Sequence, residues 1–143
     1  MRNAKDYLDH IVEATITDFE SNPTSVRHAF LACVVTFHTV DYIGRAVGRS
    51  SAQLRQMFRS ESADFGVVDD IAHALKHVSV GPRDNPKLKA SQIISRPPAL
   101  WDEASWDVSR WDDGEGGVTL ERERSVDLLQ SLRRATEFLR TKT

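Results

Sequence analysis

The sequence predicts a mainly α protein: an up-down bundle of four to five helices with a small antiparallel β-hairpin or three-stranded insertion before the last helix. Three observations carry this. Apolar residues recur at helical spacing from residue 4 to about residue 80. Gly81-Pro82 then stops that pattern, and short β-like runs and turns follow. Helical spacing returns at about Ser125 and continues to the end. The links between the helices are short, which favours antiparallel neighbours. One domain of 143 residues is expected, with 1–80 as the helical bundle, 81–124 as loop and β excursion, and 125–143 as the C-terminal helix.

The first helix spans residues 4–20, with Leu8, Ile11, Val12, Ile16 and Phe19 on one face. SNPT at 21–24 ends it, with Asn22 as expected N-cap and Pro23 as first residue of the second helix. That second helix runs to Val47. Val26, Phe30, Cys33, Phe37, Val40, Gly44 and Val47 form a stripe, and Leu31, Val34 and Val35 widen it, so the helix should be central. Ser50 with Gln53 has capping-box spacing and opens a third helix holding Leu54, Met57 and Phe58. Ser60 or Ser62 introduces a fourth, about 63–80, with Phe65, Val68, Ala72 and Leu75 inward. Beyond it, SQIIS (91–95), ASWDVSRW (104–111) and VTLER (118–122) read as strands, and DDGEGG (112–117) as a turn. The last helix should bury Val126, Leu129, Leu132, Thr136 and Leu139.

A hydrophobic share of 40% with only 7 Gly and 5 Pro excludes wholesale disorder. A net charge of −2 argues against a generally basic, nucleic-acid-coating surface, though not against a local patch. One cysteine, Cys33, excludes an internal disulfide and reads as a small buried side chain. The N-terminal stretch lacks a signal-peptide apolar region, and the apolar run AFLACVV is too short to span a bilayer. The expectation is a cytoplasmic chain with no membrane partner. No glycine-rich phosphate loop follows a strand, no serine occupies a nucleophile elbow, and no cofactor is expected.

Titratable groups interrupt the two apolar helices. His38 and Asp41 lie three apart on the second helix, with Arg45 four further on. VVDDIAHALKH (67–77) puts Asp69, His73, Lys76 and His77 on one face of the fourth, and Asp70 reaches His73 and His77 by the same spacing. If these faces meet, they make a polar seam in an apolar bundle. Buried charge is costly unless paired, so the seam should be a network, a wet cleft or a subunit interface. At least one of His38, His73 and His77 should then be mostly buried and bonded to a carboxylate or backbone carbonyl. His38→Ala should cost about 1–3 kcal/mol.

Three readings of the stripe compete. One is a structural network that fixes helix register. The second is a metal site, because His73 and His77 at i, i+4 can chelate one ion, with His38 and an aspartate completing the shell. No glutamate follows His73 in the HExxH manner, and the expected metal content is none. The third is a resemblance. A helical domain whose late helix carries a polar residue and then a histidine resembles the HEPN superfamily. Its usual pattern is Arg, a polar residue often Asn, and a His four to six positions after the Arg. AHALKH (72–77) keeps this form, with His73 in the Asn position, His77 in the His position and Ala72 where the Arg would stand. The resemblance covers residues 4–80, and the β excursion lies outside the family's common core.

What the resemblance implies is a HEPN-like binding module, non-catalytic because Ala72 replaces the arginine, that contacts single-stranded RNA or a partner protein and pairs as a homodimer. The alternative is a ribonuclease or metal-dependent enzyme using His38, His73 and His77. Arg45, Arg49, Arg55 and Arg59 cluster at the end of the second helix and along the third. They read either as a solvated face or as a phosphate-contacting patch. Trp101, Trp106 and Trp111 read as packing of the hairpin onto the bundle, or as a partner surface if exposed.

Overall fold

The computed structural model describes Met1 and residues 3–77, 79–80, 87–99 and 116–143. These residues form five helices and two small sheets. Helix α1 is continuous in three parts: Ala4–Tyr7, a π-helical stretch Leu8–Val12, and Glu13–Glu20. Then come α2 (Val26–Val47), α3 (Ser51–Glu61) and α4 (Ala63–His77). Strand β1 (Ser79–Val80) pairs antiparallel with β2 (Leu88–Lys89). Strands β3 (Ile93–Arg96), β4 (Gly117–Leu120) and β5 (Val126–Asp127) form an antiparallel sheet in that order, before α5 (Leu128–Arg140). The mainly α class with a small three-stranded antiparallel insertion is therefore what the chain adopts.

Each helix start has a side-chain cap, because the first backbone N–H groups of a helix lack internal partners. Asn3, Ser50, Ser62 and Asp127 accept from the backbone N–H three residues on. The cap of α2 is Ser25, which accepts from His28, not Asn22 as the Asn-Pro pair suggested. Asn22 and Pro23 stay in the turn: the Ser25 N–H donates to the Asn22 carbonyl. At the far end Gly48 takes a φ of 66°, the left-handed turn that glycine adopts without strain, and closes α2.

Helix α2 is central, as its wide apolar stripe predicted. Ala29, Ala32, Cys33, Thr36, Thr39, Val40, Ile43 and Gly44 are buried. The helix has 22 residues and a mean hydropathy of 1.2 over an 18-residue window, so by length and composition it passes for a membrane span, although its uninterrupted apolar run, 29–35, is far shorter. Here its buried stripe packs on α1, α4 and α5. Tyr7, just before the π-helical stretch, stacks on Tyr42 with ring centroids 4.4 Å apart, which joins α1 to α2. Phe58, Phe65 and Phe138 join α3, α4 and α5 edge to face, at 5.5 Å and 5.8 Å for the two pairs that Phe58 makes.

Two boundaries differ from expectation. Helix α4 ends at His77, and Ser79–Val80 leaves it as a strand, since Leu88 of the paired strand completes the core there. The last helix starts at Leu128, with Val126 on the sheet edge, because Asp127 caps it and pins its first turn. The third strand is thus Val126–Asp127. The ASWDVSRW strand, the three tryptophans and residues 112–115 of the expected turn lie outside the described residues. Gly116 fits its turn only as glycine: a Cβ there would lie 2.4 Å from the Arg96 carbonyl oxygen, at a φ of 68°.

Candidate functional site

Asp69 and Asp70 sit at the middle of α4, with side chains 0% and 9% exposed. Two adjacent buried carboxylates are tolerated only if each is paired and hydrogen-bonded. Helix α3 supplies the partners. Arg55 and Arg59 are four apart, so they share one face of that helix and both reach across to α4. Arg55 Nε lies 2.7 Å from Asp69 Oδ1 and 2.9 Å from Oδ2, with its N–H directed at Oδ2. Oδ1 accepts no well-directed hydrogen bond. Arg59 donates to Asp69 and, at 2.7 Å, to Asp70 Oδ1. Arg122, just past β4, donates to Asp70 Oδ2 at 2.9 Å. Burial works against the charge on Arg59, but Asp70 and Asp69 more than offset it and raise its pKa above the ordinary value.

The same carboxylates organise the histidines. His73 Nδ1 lies 2.8 Å from the Asp69 carbonyl oxygen and 3.1 Å from Asp69 Oδ1. A carbonyl only accepts, so Nδ1 carries the proton and Nε2 is left as the basic nitrogen. The His73 ring meets Phe37 of α2 edge to face, centroids 5.1 Å apart, and the Arg55 guanidinium lies 5.8 Å from the centre of that Phe37 ring. His77 extends the row, nearly parallel to His73 at 6.3 Å. Lys76 and His77 are exposed at the end of α4.

His38 and Asp41 form a separate pair on the outer side of α2, with side chains about half exposed at 52% and 51%. His38 Nδ1 is 3.0 Å from Asp41 Oδ2, and Ser51 donates to Asp41 Oδ1 at 2.5 Å. Burial pulls the Asp41 pKa up, but the bonds from His38 and Ser51 outweigh it, so the carboxyl is held below its ordinary value. The seam therefore joins α3 to α4, and its carboxylates take arginines as partners where histidines were expected. Among the three histidines, His73, 25% exposed and bonded to the Asp69 carbonyl, meets the expectation of a mostly buried, partnered ring. His38 does not, so His38→Ala has no buried partner to leave unsatisfied.

Of the four clustered arginines, Arg55 and Arg59 belong to the seam. Arg45 is exposed on α2, and among the described residues the one directed contact of the Arg49 side chain is the Met57 sulfur, at 3.8 Å. Among the described residues no three His, Cys, Asp or Glu side chains stand together as a metal site, so His38, His73 and His77 do not converge on one point. Cys33 is fully buried, and burial pushes its thiol pKa up, which leaves it unreactive.

Comparison with known protein families, with curated proteins and with solved structures finds no match.

Sequence reasoning missed Arg122, Phe37 and Ser51 as members of these groups. Arg122 lies in the alternating run ERER, a bend just past β4 in which neighbouring side chains leave in different directions. Glu121 accordingly pairs with Arg96 while Arg122 pairs with Asp70. That alternation was the available signal, but it names no partner.

Proposed function

We propose that the chain is a HEPN-like, non-catalytic helical binding module that holds single-stranded RNA, as a homodimer in the cytoplasm without a membrane partner. The observation that supports this most is how the arginines are mounted. Arg55, Arg59 and Arg122 are anchored inward on two buried aspartates, yet each side chain keeps about a third of its surface open, at 33%, 33% and 35%. With Lys76, four cations face two buried anions, which leaves two surplus positive charges at the surface despite the chain's net −2. Guanidiniums fixed in this way are preorganised for phosphate. Beside them, Phe37, His73 and His77 offer ring faces and edges to an unstacked base.

The non-catalytic part of the reading rests on Ala72. It is buried, and no guanidinium stands at that point of the helix to hold a phosphate opposite His77. The test is a titration of labelled single-stranded RNA at low and at physiological salt. Binding should weaken steeply with salt, since released counterions drive it. Lys76→Ala and His77→Ala, both at exposed positions, should weaken it without unfolding the protein, and the RNA should stay intact with and without added zinc. Cleavage lost in His77→Ala would establish the enzyme instead. Absence of binding at low salt would leave a protein partner as the occupant.

A further inference from the structure

On another part of the bundle, a cleft of about 340 Å³ opens between the end of α2, helix α3 and the residues just after α5. That is near the lower bound for small-molecule sites, roughly 300–1,000 Å³. Its floor is the buried core: Ile43, Leu54 and Phe58 are 4%, 2% and 1% exposed. Val47, 55% exposed, and Met57 extend the apolar lining to the rim. Val47 and Met57 thus continue the floor as one concave apolar lining of the kind an apolar tail fills.

Two cations stand at this cleft, and they are not equivalent. Lys142 is already engaged: it pairs with Glu61 at 2.5 Å and lies over the rings of Phe138 and Phe58 at 4.9 Å and 6.0 Å. Arg49 has no carboxylate among the described residues, and its one directed contact is the Met57 sulfur, a weak acceptor. Its backbone is held firmly. The Arg49 N–H donates to the Gly44 carbonyl at 3.0 Å, after the left-handed turn at Gly48. Gly44 permits this close return, since a Cβ there would lie 2.8 Å from the Arg49 carbonyl oxygen. A cation with a fixed base and no counter-charge among the described residues, at the lip of an apolar cleft, matches one anionic head on an apolar tail.

We propose that this cleft binds an aliphatic monocarboxylate of medium chain length, its tail against Leu54, Met57 and Phe58 and its carboxylate on Arg49. A carboxylate replaces the sulfur as acceptor and forms charge-assisted hydrogen bonds with the guanidinium.

The sequence supplies a convenient reporter, because its two methionines are Met1 and Met57. With methyl-labelled methionine in the full chain, sodium octanoate should shift the Met57 signal saturably, with a Kd on the order of 1 mM or tighter, and leave Met1 unmoved. 1-Octanol should bind at least about tenfold more weakly, and Arg49→Gln should bring octanoate down to the octanol level. Val47→Asp, at the exposed rim, should abolish both. An unmoved Met57 signal overturns the site. Equal binding of octanoate and octanol, or full octanoate binding by Arg49→Gln, overturns the carboxylate assignment.

Discussion

Arg122 donates to Asp70 at 2.9 Å across 52 positions of sequence, and so ties the end of β4 to the middle of α4. The small sheet is too short to be stable alone. It is held by Leu120 and Val118 in the core and by this ion pair on the outside. Removing Asp70 takes the carboxylate from Arg122 and one of two from Arg59, which keeps Asp69. Asp70→Ala should cost about 2–4 kcal/mol, somewhat less than the roughly 3–5 kcal/mol for breaking a fully buried pair, because both arginines are a third open to water. Arg122→Gln should cost only about 1 kcal/mol. Its clearer sign is faster amide exchange in 117–122 with α4 unchanged. Equal exchange in parent and variant would show that the pair does not hold the sheet.

Thr36 and Thr39 on α2 are fully buried, and neither hydroxyl has a hydrogen-bond partner among the described residues. An unpaired buried hydroxyl carries its desolvation cost with no return bond. Valine has nearly the same shape without that group. Thr36→Val and Thr39→Val should each raise stability by about 0.5–1.5 kcal/mol in denaturant unfolding. A loss of stability in both would mean that the hydroxyls are satisfied in solution.

Most of the fold was legible because its signals are local. Leu8, Val12, Ile16 and Phe19 repeat at helical spacing, and Ser50 and Ser62 cap the helices they precede. Ser25 was missed because Asn-Pro is the stronger local signal, and the choice between the two caps depends on where α2 can pack. The seam was half legible. Asp69, His73 and His77 stand on one helix, so spacing alone shows their shared chemistry. Arg55 and Arg59 were visible as a cluster, yet their role depends on the orientation of α3 against α4. Arg122 depends on a contact closed by the whole fold, and no local pattern encodes it.

Acid should loosen the junction of α1 and α5. Arg140 bonds Asp9 at 2.6 Å and Glu13 at 2.9 Å, and Arg133 bonds Glu13 and Glu20. Hydrogen bonds from Lys5 and then Arg140 lower the Asp9 pKa from 3.8 to about 2. Burial pulls Glu13 up, but Arg140 and Arg133 outweigh it, and its pKa is lowered as well. Both folded-state values lie below the unfolded ones. The stabilisation is therefore complete above the ordinary carboxyl pKa and is lost as pH falls through it towards about 2 for Asp9. Carboxyl NMR titration should place the Asp9 midpoint well below that of a free aspartate, and Arg140→Gln should move it up while the Lys5 bond remains. A midpoint unmoved by that variant would remove Arg140 as a cause.

The homodimer we propose has a specific register. Arg27, Val34 and Asp41 are seven apart, so they lie along one face of α2. Arg27 and Asp41 are exposed, Val34 is half-buried between them, and Leu31 beside it is 41% exposed. Such a face is complementary to itself. In an antiparallel pair with the two-fold axis at Val34, Arg27 faces Asp41 of the second copy and Leu31 faces Phe37 of the second copy. Two ion pairs then flank an apolar centre. The Phe37–His73–His77 rows of the two copies come to the same side of the seam, where one RNA strand could touch both. Arg27→Asp should put like charges opposite each other twice and shift the protein towards monomer. Asp41→Arg should do the same, and the double variant should recover the dimer, since each pair is restored with its sign reversed. Sedimentation over a wide concentration range reads all three. A parent that stays monomeric throughout ends the dimer proposal. A double variant no better than either single one would move the axis away from Val34.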